Sequence, residues 1–129
     1  MKLVTALLGA SIFAVPLLWA ETRPERPYSL DEVKAFVSAK LPDSYKQALT
    51  VPLEYENSLN PFIADRIKIF RDKRTGQCSQ AKIYLKNTTP ESLAHEIGHY
   101  VYECIFDETQ RKVSGLTSEG FAYGLENII

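Results

Sequence analysis

The stretch SLAHEIGHYV (residues 92–101) constrains the fold more than any other part of the chain, because it holds both histidines that the chain contains. Residues four positions apart lie one turn apart on the same face of an α-helix, so His95 and His99 can bind one metal ion from one side. Glu96 is rotated by about 100° around such a helix. This rotation removes it from the ligand set but lets it take a proton from a metal-bound water. Two core histidines are the competing interpretation, but a buried pair needs hydrogen-bond partners and gives Glu96 no role.

The first twenty residues, MKLVTALLGASIFAVPLLWA, differ in character from the rest of the chain. One early lysine precedes an apolar run, and Ala20 stands before the polar segment ETRPERP, which is the pattern of a secretory signal peptide. An uncleaved membrane anchor is the alternative, but glycine, serine and proline interrupt a run that is short for a membrane span. We therefore expect a signal peptide at 1–20 and an extended leader at 21–28. The mature chain is expected to be secreted or periplasmic, with no stable membrane span.

The remaining residues, 29–129, suffice for one domain. Hydrophobic residues make up 45% of the chain and charged residues 24%, which is typical of globular proteins. The formal net charge is −1 and no basic stripe is present, so we expect no nucleic-acid partner. Cys78 and Cys104 are the two cysteines of the chain. An oxidising compartment favours a disulfide between them, and two buried free thiols are the alternative.

The order of the elements predicts an α+β fold. Ser29 and Glu32 form a capping-box pattern at the start of a helix with one apolar face. Alternating apolar residues predict three short strands, at 51–55, 65–71 and 81–86. Thr88 or Thr89 can cap the helix that carries the histidines, which runs to about Ile105. After a polar connection, Thr117 or Ser118 begins a last helix.

Zinc needs a third protein ligand, and no histidine remains to supply it. Cys104 lies on roughly the opposite face of the histidine helix. Glu103 shares the histidine face, but on a straight helix it lies a full turn beyond His99. A carboxylate from another element is required, and Glu119 stands at the start of the last helix, separated from His99 by nineteen residues. We expect Glu119 to complete the zinc site.

The sequence HEIGH, followed after nineteen residues by SEGFA, resembles the gluzincin metallopeptidases. The thermolysin group has the same gap before its glutamate ligand, and the related zinc aminopeptidases have that glutamate in a Glu-Gly-Phe-Ala stretch. The length is most similar to the smallest gluzincins, the minigluzincins, with a helix, a three-stranded sheet, an active-site helix and a glutamate helix. The resemblance implies this zincin-like fold for 29–129. It also implies that His95, His99 and Glu119 bind Zn²⁺ and that Glu96 is the base.

Two departures from the gluzincin pattern concern supporting residues. Thermolysin-like enzymes carry an aspartate four residues after the glutamate ligand, where this chain has Tyr123. They also stabilise the oxyanion with a downstream histidine or tyrosine, but no histidine remains here. Tyr123 lies on the face of Glu119, so it is the candidate to bond a ligand or the oxyanion, and a packed aromatic is the alternative. Tyr100 and Tyr102 are further candidates.

These expectations combine into a secreted zinc metallopeptidase that hydrolyses peptide bonds with a zinc-activated water and Glu96 as general base. Its partner would be a peptide or protein substrate, paired with the edge of strand 81–86 or of a neighbouring strand. A non-catalytic, zinc-stabilised binding module of the cell envelope is one alternative. A latent peptidase, inhibited by its own leader or C-terminus, is another.

Overall fold

The computed structural model describes residues 28–129 and confirms the α+β class. The predicted signal peptide and all but the last residue of the predicted leader lie outside this range. The α-helices are α1 (Leu30–Lys40), α2 (Pro90–Tyr100), α3 (Glu108–Ser114) and α4 (Ser118–Ile128). The strands are β1 (Leu53–Tyr55), β2 (Arg66–Arg71) and β3 (Cys78–Leu85), and a 3-10 helix spans Asp43–Thr50. Within residues 28–129, no helix is long and apolar enough to cross a membrane.

The three strands form one sheet in the order β1-β3-β2. The second and third of these strands form a hairpin, since β2 pairs antiparallel with β3. Gly76, with φ of 73°, turns the chain there in a conformation that glycine adopts without strain. β1 pairs parallel with the other side of β3. The strand expected at 81–86 is therefore central, so a substrate peptide cannot pair with it. Within residues 28–129, its two neighbours, β1 and β2, each have one edge without a strand partner.

The helices cover one face of this sheet and form the core with it. Ile83 and Leu85 of β3 are fully buried, because strand residues two positions apart share a face. The side chains that pack with them come from α1, α2, the π-helical turn that follows α2, and α4: Val33, Val37, Leu93, Ile97, Val101 and Leu125. The apolar stripe of α2 is therefore committed to the core, which leaves its histidine face for the cleft.

The helix that carries the histidines, α2, has a capped start and is followed by a π-helical turn. Thr89 accepts a hydrogen bond from the Ser92 amide and Pro90 occupies the first turn, as predicted. The expected single helix to about residue 105 is wrong in one respect, since the last turn, Val101–Ile105, is π-helical. Cys104 lies in this turn and forms a disulfide with Cys78 at the start of β3, with Cα atoms 5.6 Å apart. The predicted pairing is confirmed, and it is consistent with an extracellular protein.

The polar connection expected before the last helix contains a helix that the sequence did not predict, since α3 occupies most of it. Asp107 and Gln110 form a reciprocal capping box at its start, and Gly115, with φ of 68°, ends it. None of its residues is buried. An apolar stripe, which is the main sequence signal for a helix, is therefore missing, although the capping box can be read in DETQ.

Candidate metal centre

Close packing of α2 against α4 brings the predicted ligands together. A Cβ atom added to Gly98 would lie 2.6 Å from the Cα of Ala122, so the two backbones approach where no larger side chain fits. Thr117 caps α4 by accepting from the Gly120 amide, which places Glu119 in the first turn. Glu119 thus starts α4 beside the histidine face of α2, at the end of a helix that favours a carboxylate.

His95, His99 and Glu119 form the metal-ligating group that sequence analysis predicted as zinc ligands. One ligand atom from each residue lies within 4.8 Å of the other two. The Nε2 atoms of His95 and His99 lie 2.6 Å and 3.2 Å from the same oxygen, Oε1 of Glu119. The two nitrogens and the carboxylate therefore converge on one small volume, as a three-ligand zinc site with an open fourth position requires.

The other nitrogen of each imidazole is held by a residue of α4. His95 Nδ1 lies 2.9 Å from Glu126 Oε1, and His99 Nδ1 lies 2.8 Å from Ser118 Oγ. A histidine that donates its Nδ1 proton presents the Nε2 lone pair to a metal ion, and the partner fixes the ring orientation. The donor set and its support therefore fit Zn²⁺, with Glu126 and Ser118 as orienting residues.

Neither orienting residue was predicted from the sequence. Tyr123 occupies the place of the expected aspartate, but the carboxylate that orients His95 stands one turn later, at Glu126. Helical spacing puts Glu126 seven residues after Glu119 and so on the same face of α4. That spacing is the signal that could have found it.

Tyr123 lies against the site without a hydrogen bond to a ligand. Its ring packs edge-to-face on His95, with centroids 4.7 Å apart, and the residue is 55% exposed. The other two tyrosine candidates are placed away from the ligands. Tyr102 donates to the carbonyl of Leu116, and Tyr100 lines a hollow beside Cys78 that does not include the histidines.

Glu96 is the buried acid of the site. It is only 5% exposed, and its carboxyl group accepts no hydrogen bond from any residue in 28–129. The pKa of Glu96 is raised to about 7, chiefly by burial; His95 opposes the rise, and the carboxylates of Asp65, Glu119 and Glu126 contribute to it. A cation held by the three ligands would favour the charged form. A carboxyl group in this range is suited to accept a proton and return it.

An open cleft runs between β2 and α2, with the ligand group on one wall. Ile67 and Ile69 of β2 line the same cleft as Glu96. Arg71 closes the far end of the strand and forms an ion pair with Glu103, with Nη2 and Oε1 2.7 Å apart. Glu103, the alternative metal ligand, is therefore engaged by an arginine and is not part of the ligand group.

Comparison with known proteins leaves the site to be interpreted from its own geometry. No family model, no curated protein and no solved structure matches the chain. The gluzincin resemblance rests on the residues around HEIGH and SEGFA, and the arrangement in the structure is a His-His-Glu group that could hold a metal ion.

Proposed function

We propose that the protein is a zinc-dependent metallopeptidase of the gluzincin type with a zincin-like fold. The observation that carries the proposal is Glu96, a residue that is only 5% exposed. Its carboxyl group has no hydrogen-bond partner among the described residues and borders the open cleft beside the three-ligand group. A purely structural metal site has four protein ligands and needs no free acid next to it. This site has three ligands and a free acid.

Each residue has a defined part in this proposal. His95, His99 and Glu119 would hold Zn²⁺, which polarises the scissile carbonyl and lowers the pKa of water when bound. Glu126 and Ser118 keep the imidazole rings oriented. Glu96 would accept a proton from the water as the water oxygen bonds to the carbonyl carbon, and would then deliver this proton to the amine nitrogen as the carbon–nitrogen bond breaks.

β2 is the strand that would align the substrate. Within the described residues it pairs with β3 alone, so its other edge has main-chain donors and acceptors available for an extended peptide. The cleft beside it is lined by Ile67 and Ile69 on one wall and by the ligand group on the other. A peptide on this edge would lie beside the cleft that Glu96 lines.

The test is Glu96→Gln, which keeps the size and hydrogen bonding of the side chain but removes the base. We expect full zinc content, an unchanged fold and a loss of peptide hydrolysis by about 10² to 10⁴, the usual worth of a general base. Hydrolysis of a mixed peptide library is measured with and without chelator, and metal content is measured on the same samples. Hydrolysis by zinc-loaded Glu96→Gln at the wild-type rate would contradict the proposal. Absence of hydrolysis by either form would favour the binding module or the latent peptidase.

A further inference from the structure

The formal net charge of −1 hides an uneven distribution of charge along the chain. The segment 66–82, which we call the basic hairpin, holds six basic residues and one acidic residue, a formal charge of +5. The rest of residues 28–129 holds six basic and thirteen acidic residues, a formal charge of −7. Apolar and polar residues separate the cations of the hairpin along the sequence, and the pairing of β2 with β3 brings them together. The domain is therefore strongly polarised.

The two faces of the basic hairpin differ, because successive side chains of a strand point to opposite faces of the sheet. Ile67 and Ile69 line the cleft. Lys68 and Phe70 lie on the other face, where Lys68 stands opposite Lys82 and all three border a separate hollow. We call this side of the sheet the outer face. A ligand on the outer face would leave the cleft open.

Aromatic side chains lie among the cations of the outer face. Phe70 is 57% exposed. The ring of Tyr84 has three cations within reach of its centroid, at 4.4, 5.6 and 5.1 Å: Arg66, Lys68 and Lys82. The outer face thus combines positive charge with an exposed ring that the fold leaves uncovered.

Half of the cations on the basic hairpin have no acidic partner within residues 28–129. Three form ion pairs with glutamates from outside the segment: Arg66, Arg71 and Lys82. The other three form no ion pair in this range and are exposed: Lys68, Lys73 and Arg74. The one acid of the segment, Asp72, accepts from the amides of Arg74 and Thr75 in the turn. Three exposed cations are therefore available to an anionic partner.

We propose that the basic hairpin docks on the surface of a bilayer that contains anionic phospholipids. Cations close to such a surface are attracted by the negative potential of the headgroups. An aromatic ring between them can enter the interface, where apolar surface is buried. The negative charge of the rest of the domain is repelled by the same surface, so the charge distribution also orients the hairpin towards the lipid.

Other occupants fit the outer face less well. A two-fold contact between copies places the same patch against itself, and so sets Lys68 and its neighbouring cations against their equivalents. A soluble acidic protein would satisfy the cations without requiring the exposed ring of Phe70. Nucleic acid combines phosphates with rings that stack, but the disulfide is consistent with an extracellular protein. The inference does not depend on the proposed peptidase function.

The experiment measures binding of the full chain, recovered after export, to two kinds of vesicle by cosedimentation. One kind is phosphatidylcholine alone, and the other is phosphatidylcholine mixed with phosphatidylglycerol. We expect binding at least tenfold tighter to the anionic vesicles at low salt, and a smaller difference at high salt, because salt screens exposed charges. An apolar segment retained at 1–20 would bind both kinds alike, so the ratio isolates the charge effect.

A triple variant locates the effect on the hairpin: Lys68→Gln, Lys73→Gln and Arg74→Gln. Its matched control removes the same charge from exposed lysines of the helical elements: Lys34→Gln, Lys46→Gln and Lys112→Gln. One cation near an anionic surface is worth up to about fivefold in affinity, so we expect a loss of about 30- to 100-fold in the hairpin variant. The control should lose no more than about threefold, and urea unfolding should show both variants folded.

The role of the aromatic ring is tested by Phe70→Ser, with Phe62→Ser as its control. Phe62 is 93% exposed in the loop before β2, outside the basic hairpin. We expect Phe70→Ser to weaken binding to anionic vesicles about three- to tenfold, because part of the ring would be buried among the headgroups. Phe62→Ser should bind as the wild type does.

Equal binding to neutral and anionic vesicles would overturn the proposal, as would equal losses in the two triple variants. Binding to an RNA or an acidic peptide in place of anionic vesicles would also overturn it and assign the basic hairpin to that class of partner. Glu96→Gln separates this proposal from the peptidase, because it removes the proposed base and should leave vesicle binding at the wild-type level.

Discussion

The cleft has a helical wall, formed by α2 and α4, and a strand wall, formed by β2, and the two differ in what they leave available to a ligand. On the helical wall each histidine is bonded to one residue of α4 through Nδ1 and to Glu119 through Nε2, while Glu96 lacks a hydrogen-bond partner among the described residues. On the strand wall, β2 pairs with β3 and presents an edge without a strand partner in the described residues. The helical wall is therefore arranged in advance for a metal ion, whereas the strand wall is left open for an extended chain.

The largest expected effect on the helical wall is the loss of zinc when its third ligand is removed. In Glu119→Ala, two imidazoles from one helix remain, which is too few to hold zinc tightly, so we expect its content to fall from one ion per chain to nearly none after dialysis. The matched control is Glu103→Ala, which removes another cleft carboxylate that is paired with Arg71. We expect the control to keep its zinc, as measured by elemental analysis. Full zinc content in Glu119→Ala would place the third ligand elsewhere.

The sequence predicted the helical wall better than the strand wall, for a physical reason. The positions of His95, Glu96 and His99 follow from the period of one helix, and helix ends are marked by local capping residues such as Thr89 and Thr117. Local rules of this kind hold whatever the rest of the chain does. They account for most of the helices and for the relative directions of the histidines.

Sheet order depends instead on contacts between distant segments. The hairpin joining β2 and β3 could be predicted, but the parallel pairing of β1 with β3 could not, and it is this pairing that makes β3 central and β2 an edge. The role of Glu126 has the same origin. Its helical position was readable, but its contact with His95 depends on how α4 packs against α2.

The second prediction concerns the packing of α4 on α2, which holds the two halves of the helical wall together. In Gly98→Ala the new methyl group would meet the backbone of Ala122 at 2.6 Å, and a backbone atom cannot move aside as a side-chain end can. We expect a net loss of about 1–3 kcal/mol in the free energy of unfolding, the usual cost of overpacking. Zinc affinity should fall as well, because Glu119 is displaced from the histidines. Urea unfolding and zinc titration measure the two effects.

Gly124→Ala is the matched control for this substitution. Gly124 lies in α4, but a Cβ atom added there meets nothing within 4 Å. Alanine is the better helix former, so the control should be neutral or more stable by up to about 1 kcal/mol. Equal stability effects of the two substitutions would show that the close approach at Gly98 does not hold the helices in place.

The smallest expected effect concerns the hydrogen bond that Glu126 forms with His95 Nδ1. Glu126 has no place in the ligand group and acts on the metal only through His95 Nδ1. Loss of such an orienting partner typically lowers metal affinity 10- to 100-fold, so we expect a loss of about this size in Glu126→Ala. Glu126→Gln retains an oxygen that can accept the same hydrogen bond, and it should lose less. Zinc affinity is measured by competition with a chelator, with Glu108→Gln as a surface control. If Glu126→Ala bound zinc as tightly as the wild type, the ring of His95 would be held by its packing, against Tyr123 among others, and the helical wall would owe less to its hydrogen bonds than the geometry indicates.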